Sequence, residues 1–134
     1  MARIEKYRGL TSVELETLSI EESLPLITSR ARRAIKRALE GKNVRLKKLI
    51  KKASDKKKAK VSKAIRTHVR DAPILPSWIG MKFAVHNGKE FKEFEVTVDK
   101  IGYRLGDFAH STGRVIHSGP GIGATRGSKF IPLK

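Results

Sequence analysis

The sequence predicts an α+β fold: a small three-stranded antiparallel sheet packed with helices from a basic N-terminal half, and an extended C-terminal tail. Three observations predict it. Apolar residues recur at helical spacing between Ile27 and Ala53. Two alternating runs flank Asn87-Gly88. Beyond Ala109 large apolar residues nearly vanish, while Gly, Ser, Thr and Pro dominate. The chain divides accordingly into a helical, strongly basic stretch over 1–65, an αβ core over 66–108 and a Gly-rich basic tail over 109–134.

Residues 1–10 read as a short extended lead. Thr11-Ser12-Val13-Glu14 and Ser19-Ile20-Glu21-Glu22 each have the form of a capping box, with a hydroxyl followed three residues later by a carboxylate. They predict two short helical pieces, about Ser12–Leu18 and Ile20–Leu24, with Pro25 ending the run or starting the next. From Ile27 a stripe of Ile27, Ala31, Ala34, Ile35, Ala38 and Leu39 predicts an amphipathic helix. Gly41 suits its C′ position. Asn43 can cap a second helix with stripe Leu46, Leu49, Ile50 and Ala53. The short connection predicts a helical hairpin. Past Ser54 the run Lys56-Lys57-Lys58-Ala59-Lys60 loses apolar support and is expected to fray.

Pro73 and Pro76 predict an extended loop that ends at Trp78 and Gly80. A lone Trp beside a hairpin is foremost a core anchor, with base stacking the alternative role. Met81 to Val98 reads as a β-hairpin closed by a two-residue type I′ turn with positive φ at both Asn87 and Gly88. Strict pairing about that turn sets Phe83 opposite Lys92, so a bulge near Lys92-Glu93 is expected to bring Phe94 onto the face of Phe83. The stretch from Ile101 to Phe108 reads as a tight turn into a third short strand. Ala109–Lys134 has too little apolar content to offset its chain entropy and is expected to be mobile in the free protein.

Charge is concentrated in one block. Between Arg30 and Arg70 lie 18 of the 30 Lys and Arg residues and only two acids, Glu40 and Asp55. The first 29 residues sum to −2 and the last 64 to +3, against a total of +17. Self-repulsion opposes packing like charge so densely, so the block implies a polyanionic partner, of which nucleic acid is the commonest. The residues singled out for phosphate and sugar contacts are Arg30, Arg33, Arg37, Lys47, Lys48, Lys51, Arg66, Arg70, His86, Asn87, Lys89, Arg104, Arg114, Arg126 and Lys129.

Other chemistry finds little support. The chain has no cysteine, hence no disulfide, thiolate metal site or cysteine nucleophile. Its four histidines lack ligand spacing and are read first as solvated or locally hydrogen-bonded, though an imidazole here could meet phosphate or stack on a base. Gly119 to Lys129 is Gly-rich but has neither the Gly-Lys-Ser/Thr ending nor the strand–loop–helix context of a phosphate loop. No nucleophile elbow is present, and Asp99 and Asp107 are read as caps of backbone amides. No enzymatic activity, cofactor or metal is expected. The N-terminal residues lack an apolar leader and no stretch matches a membrane span, which fits a cytoplasmic protein.

The second half carries more specific information. Arg70-Asp71-Ala72-Pro73-Ile74-Leu75-Pro76, Gly80, Val85-His86-Asn87-Gly88-Lys89 and Gly102-Tyr103-Arg104-Leu105-Gly106-Asp107-Phe108 resemble the small-subunit ribosomal protein S-nineteen family. His117-Ser118, Pro120-Gly121-Ile122-Gly123-Ala124-Thr125 and Ser128-Lys129-Phe130-Ile131-Pro132-Leu133-Lys134 resemble the ending of its archaeal and eukaryotic branch, as does the long helical N-terminal extension. Tyr103, Arg104, Asp107 and His110-Ser111 depart from that family's usual His, Lys, Glu and Pro-Thr. The resemblance implies a structural protein of the small-subunit head that binds small-subunit ribosomal RNA. It also implies contact with the neighbouring head protein S-thirteen, proximity to the large subunit, and a C-terminal tail reaching toward tRNA and the decoding region. A DNA-compacting architectural protein is the alternative, but such proteins are usually dimers and no dimer seam is visible.

Overall fold

The computed structural model describes residues 6–59 and 62–119. The described residues open with a two-stranded ribbon, β1 (Lys6–Tyr7) and β2 (Leu10–Thr11), where the sequence predicts a short extended lead. Arg8 and Gly9 join the strands at φ of 51° and 89°, the paired positive φ of a type I′ turn. The two short helices follow as α1 (Ser12–Thr17) and α2 (Ile20–Ser23). Glu14 accepts hydrogen bonds from the Thr11 amide and hydroxyl at 2.7 and 2.9 Å. In the second box Ser19 N–H donates to Glu22 at 2.9 Å and Glu22 N–H to the Ser19 hydroxyl at 3.3 Å. Pro25 sits in a 3₁₀ turn, Leu24–Leu26, that leads into the next helix.

Helix α3 (Ser29–Leu39) buries Ala31, Ile35 and Ala38 of the predicted stripe, whereas Ala34 is half-buried and Leu39, at the last turn, is exposed. It ends in a Schellman motif about Gly41: Lys42 N–H reaches the Arg37 carbonyl at 2.9 Å and Gly41 N–H the Ala38 carbonyl at 3.1 Å. Asn43 Oδ1 then accepts from Leu46 N–H at 3.1 Å and starts α4 (Val44–Lys58). Helix α4 buries Leu46, Leu49, Ile50 and Ala53 and packs against α3. The expected fraying past Ser54 is not what occurs. The helix continues to Lys58 because Lys57 Nζ donates to the carbonyls of Glu16 and Ser77 at 2.8 and 2.9 Å, tying the last turn to α1 and to the 3₁₀ turn Pro76–Trp78.

The three-stranded sheet is mixed, correcting the antiparallel arrangement. Its third strand is β3 (Ile65–Thr67), parallel to β4 (Lys82–His86), which pairs antiparallel with β5 (Phe91–Glu95). Residues 101–108 form a turn at Gly102, a single bridge between Arg104 and Pro73, and a 3₁₀ turn, Leu105–Phe108. Phe83 faces Phe94 directly, with no bulge. Relative to strict pairing about Asn87-Gly88 the register is displaced by two residues; a shift of two leaves each side chain on the same face, so Phe94 shares the face of Phe83 without the expected bulge. The turn itself also differs. Only Gly88 has positive φ, 107°, and Asn87 instead accepts the amides of Lys89 and Glu90 on its Oδ1 at 2.9 and 2.8 Å. The Phe83–Phe94 pairing sets the register, and the turn accommodates it with an Asx-type closure.

One hydrophobic cluster unites Leu15, the buried faces of α3 and α4, and Phe83, Val85, Trp78, Ile74 and Leu105. Trp78 is buried against Phe83 at a ring separation of 4.9 Å, the core anchor of the sequence reading. The N-terminal helices thus share one core with the sheet. Ala109 is fully buried and belongs to this core, whereas residues 110–119 are exposed and carry no regular element. The greater part of the expected mobile tail, 120–134, lies outside the described residues. No described helix is long and apolar enough to cross a membrane.

Candidate nucleic-acid interface

Arg30, Arg33 and Arg37 stand at i, i+3 and i+7 of α3, one face of a helix. The opposite face is spent on the core, so these side chains are directed away from it. They line a groove of about 800 Å³ whose other wall is Asp71, Pro73, Gly102, Tyr103, Arg104 and Asp107. The intervening Ala31 and Ala34 are too small to fill it. Lys42 and Asn43 also line it.

The second wall is fixed by backbone pairing. Ile74 N–H donates to the Tyr103 carbonyl at 2.8 Å, Gly102 N–H to Ile74 at 3.1 Å, and Leu105 N–H to Ala72 at 3.0 Å. Asp107 accepts from Arg104 N–H at 2.9 Å, the amide-capping role expected of it. That engages one acid of the groove with backbone and leaves the guanidinium of Arg104 uncommitted to it. Tyr103 is 57% exposed.

The groove is electrostatically unbalanced. Among the described residues one ion pair exists, Lys42–Glu40 at 2.9 Å, and both partners are solvated. Lys47, Lys48 and Lys51 are exposed on α4, where Lys48, Lys51, Lys52 and Lys56 form a second, shallower cationic surface interrupted by Asp55. Apart from Lys42, these cations have no carboxylate in salt-bridge reach among the described residues, which favours counter-charge from a partner. Lysine and arginine heads spaced along two helices suit a linear polyanion better than a small enclosed ligand.

The remaining predicted residues have distinct settings. Arg70 is turned inward: its guanidinium donates to the carbonyls of His86, Gly106 and Ala109 at 2.7, 3.1 and 2.6 Å. Its charge belongs to the block, but its donors hold the loop and sheet together. Arg66 is exposed on β3 with its guanidinium 5.6 Å from the Phe91 ring centre. His86 Nδ1 accepts Gly88 N–H at 3.1 Å. Asn87 spends its oxygen on the turn, and Lys89 extends from it. Arg114 is exposed in the stretch after the core, and Arg126 and Lys129 lie outside the described residues. The structure therefore joins Arg30, Arg33, Arg37 and Arg104 and keeps the hairpin residues apart from them. Sequence reasoning passed over Tyr103, Lys42 and Asn43 as groove residues. Only the polar, aromatic character of the turn at Gly102 could have pointed to them.

A small α+β protein with an arginine-lined groove on one helix and a lysine-rich surface on the next fits, as a class, with RNA-binding components of ribonucleoproteins. Residues 35–117 match the family model Ribosomal protein S19, and the chain belongs to that family. It is accordingly a ribosomal protein of the small subunit that serves translation. The match begins within α3, further toward the N-terminus than the motifs that first suggested the family, and ends shortly after the core.

Proposed function

We propose that this chain is a structural constituent of the small-subunit head, where it binds small-subunit ribosomal RNA through the α3 groove and the cationic surface of α4. The observation that carries this is the groove lined by Arg30, Arg33, Arg37 and Arg104, none of which has a carboxylate in salt-bridge reach among the described residues. In this reading those four side chains, with Lys47, Lys48 and Lys51, neutralise phosphates and release counterions. Arg66, Lys89 and Arg114 add contacts from the sheet and the stretch beyond it. Arg70 acts from behind by holding the Gly106 loop and the end of β4 in place.

Residues 1–65 then serve as a gripping extension, 66–108 as the core against which it packs, and 109–134 as a tail that follows RNA. His117-Ser118 and the Pro120–Thr125 motif favour the archaeal and eukaryotic branch. Contact with head protein S-thirteen, with the large subunit and with tRNA near the decoding region belongs to the same proposal, as does a cytoplasmic ribosome as the location. The role is one of binding, without catalysis.

The test is co-sedimentation with small ribosomal subunits at high salt, beside binding to isolated small-subunit ribosomal RNA. Replacing Arg33 and Arg37 together by Glu should abolish both while the helical circular-dichroism signal persists. Undiminished binding by that folded variant would remove the α3 groove from the interface.

A further inference from the structure

The outward face of the sheet holds a second cluster, and two of its rings, His68 and Phe91, have no part in the phosphate-binding reading. Side chains alternate along a strand. Phe83 and Val85 point into the hydrophobic cluster, so Ala84 and His86 point out of it. The register places Arg66, Ala84 and Glu93 in one outward row and His86 beside Phe91 in the next. His68, just past β3, completes that second row. Its ring centre is 4.6 Å from His86 and 5.2 Å from Phe91, and His86 and Phe91 are 4.9 Å apart. Three rings thus cross three strands on the side of the sheet away from the core, and His68 at their edge is exposed.

These rings contribute nothing to the hydrophobic cluster. Nor do they form a metal site: no group of three or more ligand residues converges here among the described residues, the two imidazoles are tilted by 41° to each other, and His86 Nδ1 already accepts the Gly88 amide. The surrounding charge favours an anionic ligand. Arg66 lies over Phe91, Lys89 projects from the adjoining turn and Arg70 binds the carbonyl of His86 from the inner side. The facing acids are Glu93, in the row of Arg66, Glu95, opposite Lys82 in the outward row on the other side, and Glu90 in the turn, and none forms an ion pair among the described residues.

Aromatic rings on an open sheet face, flanked by cations, match the faces of unpaired nucleobases, which a duplex conceals. We infer that this face is a stacking platform for an unpaired base of single-stranded RNA. His68 is the ring on which the base lies, and Arg66 and Lys89 hold the flanking phosphates. The inference rests on the RNA-binding function proposed above and adds to it a contact with bases, at a place separate from the α3 groove.

The test uses the full chain and three fluorescent ligands roughly ten nucleotides long: oligoadenylate, an abasic ribose-phosphate strand of equal length, and an RNA duplex. At fixed salt, oligoadenylate should bind roughly 5- to 150-fold more tightly than the abasic strand. His68→Ala should erase most of that difference, His68→Phe should retain it, and both should leave duplex affinity unchanged. Independently of any variant, oligoadenylate should shift the ring-proton resonances of His68 and His86 upfield, and the abasic strand should not. Equal affinity for the two single strands, or a difference that His68→Ala leaves intact, overturns the platform while duplex binding keeps the wider reading in force. Absence of binding to all three ligands overturns both.

Discussion

Arg70 donates to the carbonyl of Ala109 at 2.6 Å, across 39 residues of chain, and so fastens the end of the core to the loop that precedes the hairpin. The same guanidinium holds Gly106 and His86, and Gly106 N–H returns a hydrogen bond to the Arg70 carbonyl at 2.8 Å. A cation that sequence reasoning assigned to phosphate thus works as an internal clasp.

That clasp should be expensive to remove. Arg70→Ala leaves three partly buried carbonyls short of donors and should cost roughly 2–4 kcal/mol. Arg70→Lys keeps the charge but not the planar fork and should recover only part of the loss. Urea unfolding of the two variants measures this. Unchanged midpoints would mean that water replaces the guanidinium without penalty.

Gly106 provides a second check on the same packing. A Cβ there would lie 3.0 Å from the Arg70 carbonyl oxygen and 3.1 Å from its Cβ. Gly106→Ala should therefore destabilise the protein by about 1–3 kcal/mol, through forced separation of the two loops. A melting temperature equal to that of the parent chain would show that the loops yield freely.

At the hairpin, Asn87→Ala removes the acceptor of two turn amides and should cost about 1 kcal/mol. Gly88→Val places a β-branched residue at φ of 107° and should cost more, roughly 1–3 kcal/mol. Thermal unfolding by circular dichroism orders the two. A milder effect at Gly88 than at Asn87 would contradict the described turn.

The acid dependence of the N-terminal helices follows from their caps. Hydrogen bonds from the backbone and then the side chain of Thr11 hold Glu14 below its ordinary 4.5, and those of Ser19 do the same for Glu22. A folded-state pKa below the unfolded one gives stability that is present above the unfolded value. It is lost as pH falls through the folded value. The double variant Glu14→Gln, Glu22→Gln should therefore narrow the fall in melting temperature between about pH 7 and about pH 3 relative to the parent. An undiminished fall would place the acid sensitivity in other carboxylates.

Binding should respond to ions as a phosphate-neutralising surface does. If ~6–10 phosphates are engaged, affinity for small-subunit ribosomal RNA should drop by about 10³–10⁵ between 50 and 200 mM salt. Arg33→Ala should reduce the logarithmic slope by roughly one. Salt-independent binding would falsify the electrostatic account.

The helices were legible because their information is local. Both hydroxyl–glutamate boxes, Asn43, Gly41 and the 3.6-residue stripes lie within a few residues of what they specify. The hairpin was legible as a pair of strands but not in its turn, since Phe83 meeting Phe94 decides the register and Asn87-Gly88 adapts to it. Strand β3 escaped notice because three residues inside a cationic run gain their meaning only beside β4, beyond a long intervening loop. The candidate site divides in the same way. The arginine face of α3 follows from periodicity, whereas its meeting with Tyr103 and Arg104 depends on pairing between 70–74 and 102–106. The inward hydrogen bonds of Arg70 were not legible because a sequence discloses charge without direction.

Lys57 has a consequence for association. Its Nζ joins the end of α4 to carbonyls of Glu16 and Ser77, so the orientation of the cationic helix is settled during folding. The entropy of aligning a row of like charges is then spent before a ligand arrives, leaving less ordering to oppose complex formation. A chain with that helix free to pivot would meet RNA with the same net charge, but with fewer of its cations in register at first encounter. Fast capture by a ready-made surface, more than adjustment after contact, is the kinetic behaviour this tether favours.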